Sequence, residues 1–374
     1  MLLQELKKIW RPWIVLAALV LCYVLSPSVS NLGPTTSSIE LAMTEAWVAQ
    51  YGPTVSEQEL AEIEATLPAL YTKADSILAG LPEARKYGLE NYQDFLNLQQ
   101  RVWQDPSIQW EDEIHEDMRR IEGCMHSEET DYVGDRIQIT ETYVTLYGLV
   151  RESDPGRHQN FLPYLAMERT TWCVRQNTVL AVVFLCLLLG PAQTRDHLAR
   201  MLPLQYASRR GRYVVRVQLA ANFLTSLVVS AVLLILGAWR LFHVSGLAVF
   251  FPCRMESLNG WGDSVPNWTY GTWCAVLGLM HCALVLGLSG IVFLLSGKSR
   301  NYISMLLKVI PFFAVFYLFA NRLIEGAFYH RSDLYKLTDI PYVEAVAAGI
   351  ILLLPLAACA ICFRKLRRTD ILTP

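Results

Sequence analysis

Long apolar runs are the feature that most restricts how this chain of 374 residues folds. A helix that crosses the hydrocarbon core of a bilayer needs about 20 mostly apolar residues. Runs that reach or approach this length lie at about residues 13–29, 179–189 (with a start near Trp172), 217–239, 272–295, 302–320 and 343–363. The sequence therefore predicts an all-α membrane protein with six transmembrane helices.

Basic residues lie between the apolar runs in a pattern that predicts the orientation of the chain. Short loops rich in Lys and Arg stay on the cytoplasmic side of a membrane. Six spans bring four basic groups to one side: Lys7, Lys8 and Arg11; the segment 192–216; Lys298 and Arg300; and Arg364, Lys365, Arg367 and Arg368. We therefore expect a multi-pass protein with both termini in the cytoplasm.

The first apolar run permits two interpretations. Its basic start, its short length and the following Ser28, Val29 and Ser30 also resemble a secretory signal peptide, whose removal would leave five spans in the same orientation. We expect the run to be retained as an anchor. Residues 1–30 then form an amphipathic N-terminal segment and the first transmembrane helix.

Charge divides the chain into two parts. Residues 31–170 hold 25 acidic and 10 basic residues, a net charge of −15, whereas the remainder holds 9 acidic and 22 basic residues, a net charge of +13. We expect residues 31–171 to form a large, mainly helical extracytoplasmic domain between spans one and two. Residues 172–374 then form a five-helix transmembrane domain.

Local patterns in the acidic part favour helices. Ser56 followed by Glu59 matches a capping box, and Gly80 is a plausible helix end. Between Val133 and Val150 the apolar alternation leaves helix and strand undecided. The acidic side chains are most simply a solvated surface, and the attraction of cationic peptides is the alternative.

The chain carries no recognisable set of catalytic or metal-binding residues. Gly297, Lys298 and Ser299 look like the end of a phosphate-binding loop, but Val292 stands where that motif requires glycine. The nine cysteines show no metal-binding spacing. We expect no enzymatic activity, no metal and no cofactor in this chain. Arginines that flank spans follow from topology, so we expect no nucleic-acid partner.

Two ionisable residues fall inside the predicted spans. His281 lies near the middle of the fourth span, and Lys308 lies about two turns into the fifth. Such groups usually face protein or a water-filled path. For His281 we favour a neutral imidazole that is hydrogen-bonded between helices over a role in a water-filled path. For Lys308 we expect a side chain that extends to the cytoplasmic surface.

The segment 192–216 holds six arginines against a single acid, Asp196. Helical spacing brings the apolar side chains of Leu198, Met201 and Leu202 to one face, which is suited to docking into a partner's cleft. The alternative is a helix at the membrane surface whose arginines contact anionic lipid headgroups. The candidate coupling residues are Asp196, Leu198, Met201, Leu202, Arg209 and Arg210.

The whole layout resembles the membrane subunit of ATP-binding-cassette transporters of the type-2 export class, with a type V exporter-like fold. The shared features are a basic N-terminal helix, one span, a large external insertion and five further spans. The local marker is Asp196, followed by Leu202-Pro203-Leu204 and then by the turn 208–212 before the third span. The resemblance covers nearly the full chain.

The resemblance implies partner subunits and assigns roles to parts of the chain. Two membrane subunits, this chain with a second copy or a paralogue, would act with two cytoplasmic ATPase subunits that bind ATP and Mg²⁺. The segment 192–216 would hold the coupling helix, Met1 to Trp10 would form an in-plane amphipathic helix, and membrane lipids would surround the spans.

The expected function is that of a permease subunit in the bacterial plasma membrane, exporting a peptide, drug or lipid-like substrate. The alternative is a membrane-anchored ligand-binding sensor or an immunity protein against antimicrobial peptides such as bacteriocins. A membrane-embedded enzyme is the third possibility, and the missing catalytic residues argue against it.

Overall fold

The structure is a computed structural model that describes residues 1–25, 36–104, 112–153, 159–198, 211–255, 268–299, 301–325, 333–340 and 342–368. These residues form helices and their connections, without a β-strand among them. The chain divides into two compact units. We call Met1–Val29, Met167–Ala248 and Asp263–Pro374 the apolar unit, and Ser30–Ala166 with Val249–Gly262 the acidic unit.

The apolar unit contains the long helices. They are α1 (Leu2–Ile9), α2 (Pro12–Leu25), α10 (Tyr164–Leu198, whose first three residues belong to the acidic unit), α11 (Gly211–Ala238, continued by a π-helical turn at Trp239–Val244), α12 (Tyr270–Ser296), α13 (Tyr302–Glu325), α14 (Asp333–Thr338) and α15 (Val343–Arg368).

Five of these helices are long and apolar enough to cross a membrane, as in a membrane-embedded protein. The candidate spans are Tyr164–Ala192, Tyr213–Val244, Tyr270–Ser296, Tyr302–Ile324 and Val343–Arg364. They correspond to the second to sixth predicted spans, and the second begins eight residues, about two helical turns, earlier than Trp172. Helix α2 has 14 described residues, and those that follow it lie outside the described part of the chain. A sixth span therefore stays a prediction.

Helix α12 is the centre of the apolar unit. It contacts α11, α13 and α15, and 14 of its 27 residues are buried. Its approach to α15 is close: a Cβ atom added at Gly287 would lie 2.3 Å from the carbonyl oxygen of Ile351, and one at Gly290 would lie 2.9 Å from Cβ of Pro355. Small residues at such a crossing let two helix backbones pack together in a bilayer, where apolar side chains gain little from leaving the lipid.

The interior of the apolar unit is a continuous apolar cluster. Its fully buried members come from α1, α2 and α10 to α13: Ile9, Ile14, Ala181, Phe184, Leu185, Leu188, Leu189, Ala221, Val229, Val285, Val292, Met305 and Val309. By contrast, α13 and α15 bury few of their apolar side chains and leave many of them exposed. Such faces suit contact with lipid acyl chains or with another membrane protein.

The acidic unit is built from seven shorter helices, which precede α10 in the chain. They are α3 (Thr36–Tyr51), α4 (Glu57–Glu64), α5 (Leu67–Gly80), α6 (Pro82–Lys86), α7 (Tyr92–Gln104), α8 (Asp112–Met125) and α9 (Val133–Ser153). Helix α9 resolves the undecided stretch, because 21 residues there are helical. Its apolar residues gain burial against neighbouring helices, which short-range alternation does not reveal.

Two local predictions in the acidic unit are confirmed. Ser56 Oγ accepts the backbone N–H of Glu59, while the Glu59 carboxylate accepts the backbone N–H of Ser56 at 2.7 Å. Helix α5 ends at Gly80 as expected. The two sites belong to different helices, because the chain breaks between α4 and α5, where Pro68 stands in the first turn of the new helix. Proline lacks the N–H that a helix interior requires.

The core of the acidic unit forms where α5, α7, α8 and α9 meet. Apolar side chains recur every three or four residues along α7 (Tyr92, Phe95, Leu98, Val102) and α8 (Ile114, Met118, Ile121, Met125), and all are buried. Outside the core, Lys86 donates to Asp117 and Glu113 at 2.6 Å each. The Lys86 ammonium is the main cause that lowers the pKa of Asp117.

The glycine crossing of α12 and α15 gives the first prediction. Gly287→Leu places a side chain against backbone atoms, which cannot rotate out of the way as a side chain can. We therefore expect a loss of about 1–3 kcal/mol in the free energy of unfolding. Gly349→Leu is the matched control, since nothing lies within 4 Å of a Cβ atom there. Unfolding of both purified variants in detergent checks this. Equal stabilities would contradict the close crossing.

Candidate functional site: the coupling segment and the polar contacts between spans

The structure describes only the ends of the predicted coupling segment. Asp196 and Leu198 lie in the last turn of α10, and α11 begins at Gly211. Met201, Leu202, Arg209 and Arg210 lie outside the described residues. Whether the three apolar side chains share one face therefore stays a prediction. The observed helix does reach Leu198, which is six residues beyond the end of the apolar span at Ala192.

Helix α10 contains an internal proline and a side-chain hydrogen bond to its backbone just before that extension. Pro191 lies inside the helix, where it removes one backbone N–H donor. Three residues later, Thr194 is buried and its hydroxyl donates to the carbonyl oxygen of Gly190 at 2.8 Å. Prolines and such threonine bonds are common causes of helix bending. Gly190 and Pro191 thus mark the junction between the span and its basic extension.

The junction is packed against the start of α13. A Cβ atom added at Gly190 would lie 2.5 Å from Met305 Cε and 2.7 Å from the ring of Tyr302. Met305 is fully buried, and so is the hydroxyl of Tyr302. A displacement of α10 at this point therefore meets α13 directly, because close-packed side chains transmit rather than absorb a shift.

The N-terminal helix is also fixed to a span. Trp10 Nε1 donates to Thr225 Oγ1 of α11 at 3.1 Å, and Ile9 and Ile14 are buried in the apolar cluster. The helical run is interrupted at Trp10 and Arg11, after which Pro12 opens α2. Proline is favoured in the first helical turn, where its missing N–H costs nothing.

Lys308 does extend back along its helix. Its ammonium donates to the carbonyl oxygen of Lys298 at 3.2 Å and to Ser299 Oγ at 3.3 Å. Both acceptors lie in the turn that joins α12 to α13. The charge of Lys308 therefore lies at the same end of the apolar unit as Lys298, while its methylene groups stay against the span.

His281 is fully buried between helices. Its Nδ1 lies 2.8 Å from the hydroxyl oxygen of Thr178 on α10, and that hydroxyl also lies 2.8 Å from the carbonyl oxygen of Val174. Either atom can be the donor in the bond between His281 and Thr178, because the roles depend on the tautomer of the ring. No hydrogen bond reaches Nε2 among the described residues. This geometry is that of a histidine bonded between helices, the interpretation favoured from the sequence.

Further hydrogen bonds between polar groups join α10, α11 and α12. Asn177 of α10 donates to the carbonyl oxygen of Leu233, and Asn222 of α11 donates to that of Ser289, at 3.2 and 3.1 Å. Thr170 and Tyr270 share a hydrogen bond of 2.6 Å between α10 and α12. Hydrogen bonds of this kind hold helices together in a membrane. We call these bonds and the His281–Thr178 bond the polar seam.

Sequence reasoning missed most of the polar seam because it considered only ionisable residues. A signal was present in the third span, where polar residues recur at helical spacing and are all buried: Asn222, Thr225, Ser226 and Ser230. The opposite face of α11 is apolar and exposed. A polar face that points inward and an apolar face that points outward are typical of a membrane helix.

The chain matches no protein-family model, no curated protein and no solved structure. Its function is therefore inferred from the residues and contacts described above.

The polar seam gives the second prediction. Thr178→Val and His281→Phe, made singly and together, form a double-mutant cycle across one bond between α10 and α12. We expect a coupling energy of about 0.6 kcal/mol, with an upper value of about 1.7 kcal/mol, as found for hydrogen bonds between membrane helices. Unfolding in mixed micelles supplies the four free energies. Strict additivity would show that this bond does not stabilise the packing.

Proposed function

We propose that this chain is the membrane-spanning permease subunit of an ATP-binding-cassette exporter, which a separate ATPase drives. One observation carries the proposal: the basic segment 192–216 lies between two helices that are continuous with candidate spans. A partner that binds this segment would therefore act directly on two helices that extend into the membrane. We assign no ATP hydrolysis to this chain, and ATP with Mg²⁺ would be bound by the partner.

The lengths of the two helices support this role. At 1.5 Å per residue, the 35 residues of α10 extend roughly 52 Å and the 28 residues of α11 roughly 42 Å. Both exceed the hydrocarbon thickness of about 30 Å. On α10, helix therefore remains beyond the candidate span, from Ala192 up to Leu198, whereas α11 begins at Gly211, only two residues before its candidate span. We infer that the end of α10 projects from the membrane towards the ATPase.

The packing at Gly190 suggests how force on the coupling segment would reach the remaining spans. Movement of α10 acts on Tyr302 and Met305 of α13, while the polar seam joins α10 to α11 and α12. The close crossing at Gly287 then connects α12 to α15. In this mechanism one docking event displaces the spans together rather than one at a time.

The proposed topology has six spans in the bacterial plasma membrane, with both termini cytoplasmic and the acidic unit outside. The position of the Lys308 ammonium beside Lys298 supports it, because both charges then lie on the side favoured by basic residues. Two copies of this chain, or this chain with a paralogue, would form the pathway. The exposed apolar faces of α13 and α15 are available for that contact and for lipid.

The third prediction concerns docking of the coupling segment. Burial of one apolar side chain contributes roughly 1.5–3 kcal/mol, so replacing Met201 and Leu202 together by Asp should weaken ATPase binding at least about tenfold. The matched double variant Arg209→Gln and Arg210→Gln should act more mildly, through orientation and lipid contacts. Copurification of an ATP-binding-cassette ATPase with the tagged chain from its own cells measures binding.

Two results would count against the proposal. If no such ATPase copurifies with the unaltered chain, the permease assignment fails and the sensor or immunity role replaces it. If the Asp variant retains as much ATPase as the unaltered chain at equal expression, the segment is an interfacial helix rather than a docking element. Substrate-stimulated ATP hydrolysis in proteoliposomes should fall in parallel with binding.

A further inference from the structure

The acidic unit contains a cleft of about 560 Å³ between α7, α8 and α9. Its apolar wall includes the rings of Tyr92 and Phe95, which stack with centroids 6.0 Å apart, and the side chain of Ile137. The volume lies within the usual range of about 300–1,000 Å³ for sites that bind small molecules or short peptide segments. The predicted coupling function does not use this cleft.

The polar wall of the cleft contains more carboxylates than basic side chains, together with the amides of Gln99 and Gln138. Glu122 and Glu141 contribute carboxylates, while Arg119 is the one arginine or lysine among the lining residues. The Glu141 carboxylate is oriented by a hydrogen bond that its Oε1 accepts from the Tyr71 hydroxyl. Glu122 forms no ion pair or hydrogen bond with another described side chain. Two carboxylates against one guanidinium give the lining of the cleft a net negative charge.

His126 adds a third acceptor. Its Nδ1 lies 2.9 Å from Oδ2 of Asp135, whose side chain is almost fully buried, and the other carboxylate oxygen of Asp135 has no partner among the described residues. A carboxylate only accepts hydrogen bonds, so Nδ1 carries the proton. In the neutral ring, Nε2 of this cleft residue is then an acceptor that is fixed in orientation by Asp135.

Some other acidic side chains of this unit are paired with basic residues within the fold. Glu113 and Asp117 are paired with Lys86, while Glu83 and Glu116 are paired with Arg120. Glu122 and Glu141 have no basic partner of this kind. Burial first, and then the negative charges of Asp135, Glu141 and Glu122, raise the pKa of Tyr92 to about 12.

We propose that this cleft binds a basic peptide segment, with an arginine or lysine side chain on Glu122, Glu141 and His126 and an adjacent apolar side chain against Tyr92 and Phe95. A guanidinium or ammonium group has only donors, which matches these three acceptors. An aromatic wall also favours a cation at its face and an apolar group beside it. The proposal does not depend on the permease role, since a sensor would use the same site.

The test uses the full chain in nanodiscs of a zwitterionic lipid. The probe is a blocked arginine–phenylalanine dipeptide amide, and its partner probe has citrulline in place of arginine, which keeps the shape and removes the charge. Binding is measured by isothermal titration. We expect the citrulline probe to bind at least about tenfold more weakly, since hydrogen bonds between charged groups are the stronger ones.

Three variants locate the binding. Glu122→Gln should raise the dissociation constant of the arginine probe about tenfold. Gly123→Leu should do the same by filling the cleft, since Gly123 lines it and nothing lies within 4 Å of a Cβ atom there. Glu129→Gln removes one exposed charge elsewhere in the unit and should leave binding unchanged. Circular dichroism and thermal unfolding confirm that each variant is folded.

Several outcomes would overturn the proposal. They are failure of the unaltered chain to bind the arginine probe, equal binding of the citrulline probe, or unchanged binding in both Glu122→Gln and Gly123→Leu. An equal loss in Glu129→Gln would attribute binding to the net charge of the unit rather than to the cleft. None of these results depends on whether an ATPase copurifies, so the binding site and the permease role fail or stand separately.

Discussion

The packing of α12 against its neighbours is the constraint on which the apolar unit depends. In a bilayer, apolar side chains gain little by leaving lipid for protein, so helices associate through close contact and hydrogen bonds. Gly287 and Gly290 supply the close contact with α15, and the polar seam supplies hydrogen bonds to α10 and α11. Bulky or apolar replacements at these positions would separate helices that lipid does not force together.

This packing gives the proposed function its mechanical basis. A transporter subunit without catalytic residues works by changing shape when a partner acts on it, and that requires rigid connections between the docking segment and the spans. Helix α10 supplies such a connection, because it is continuous from Tyr164 to Leu198 and contacts α13 at Gly190. We assign the acidic unit a different task, for which its cleft with a net negative lining is suited.

The spans were largely predictable, whereas the contacts between them were not. Hydropathy located four of the candidate spans within about five residues at each end, since a bilayer imposes both length and composition, but it placed the start of α10 eight residues too late. A helix was expected within the segment 192–216, but hydropathy did not predict that α10 continues into it as far as Leu198, because hydropathy does not separate polar helical residues from loop. The cleft and the Gly287 crossing depend on which faces meet in three dimensions, and single-sequence patterns do not contain this information. The same holds for the helix at Val133–Ser153, where burial against neighbours overrides local alternation.

The most direct measurement is the side of the membrane on which the two charged regions lie. On a cysteine-free background, Glu129→Cys probes the acidic unit, and Lys298→Cys probes the turn that Lys308 contacts; both positions are exposed. A membrane-impermeant thiol reagent added to intact cells should label the first and not the second, whereas both should react after the membrane is opened. Labelling of both positions, or of Lys298→Cys alone, in intact cells would contradict the proposed topology and with it the cytoplasmic coupling segment.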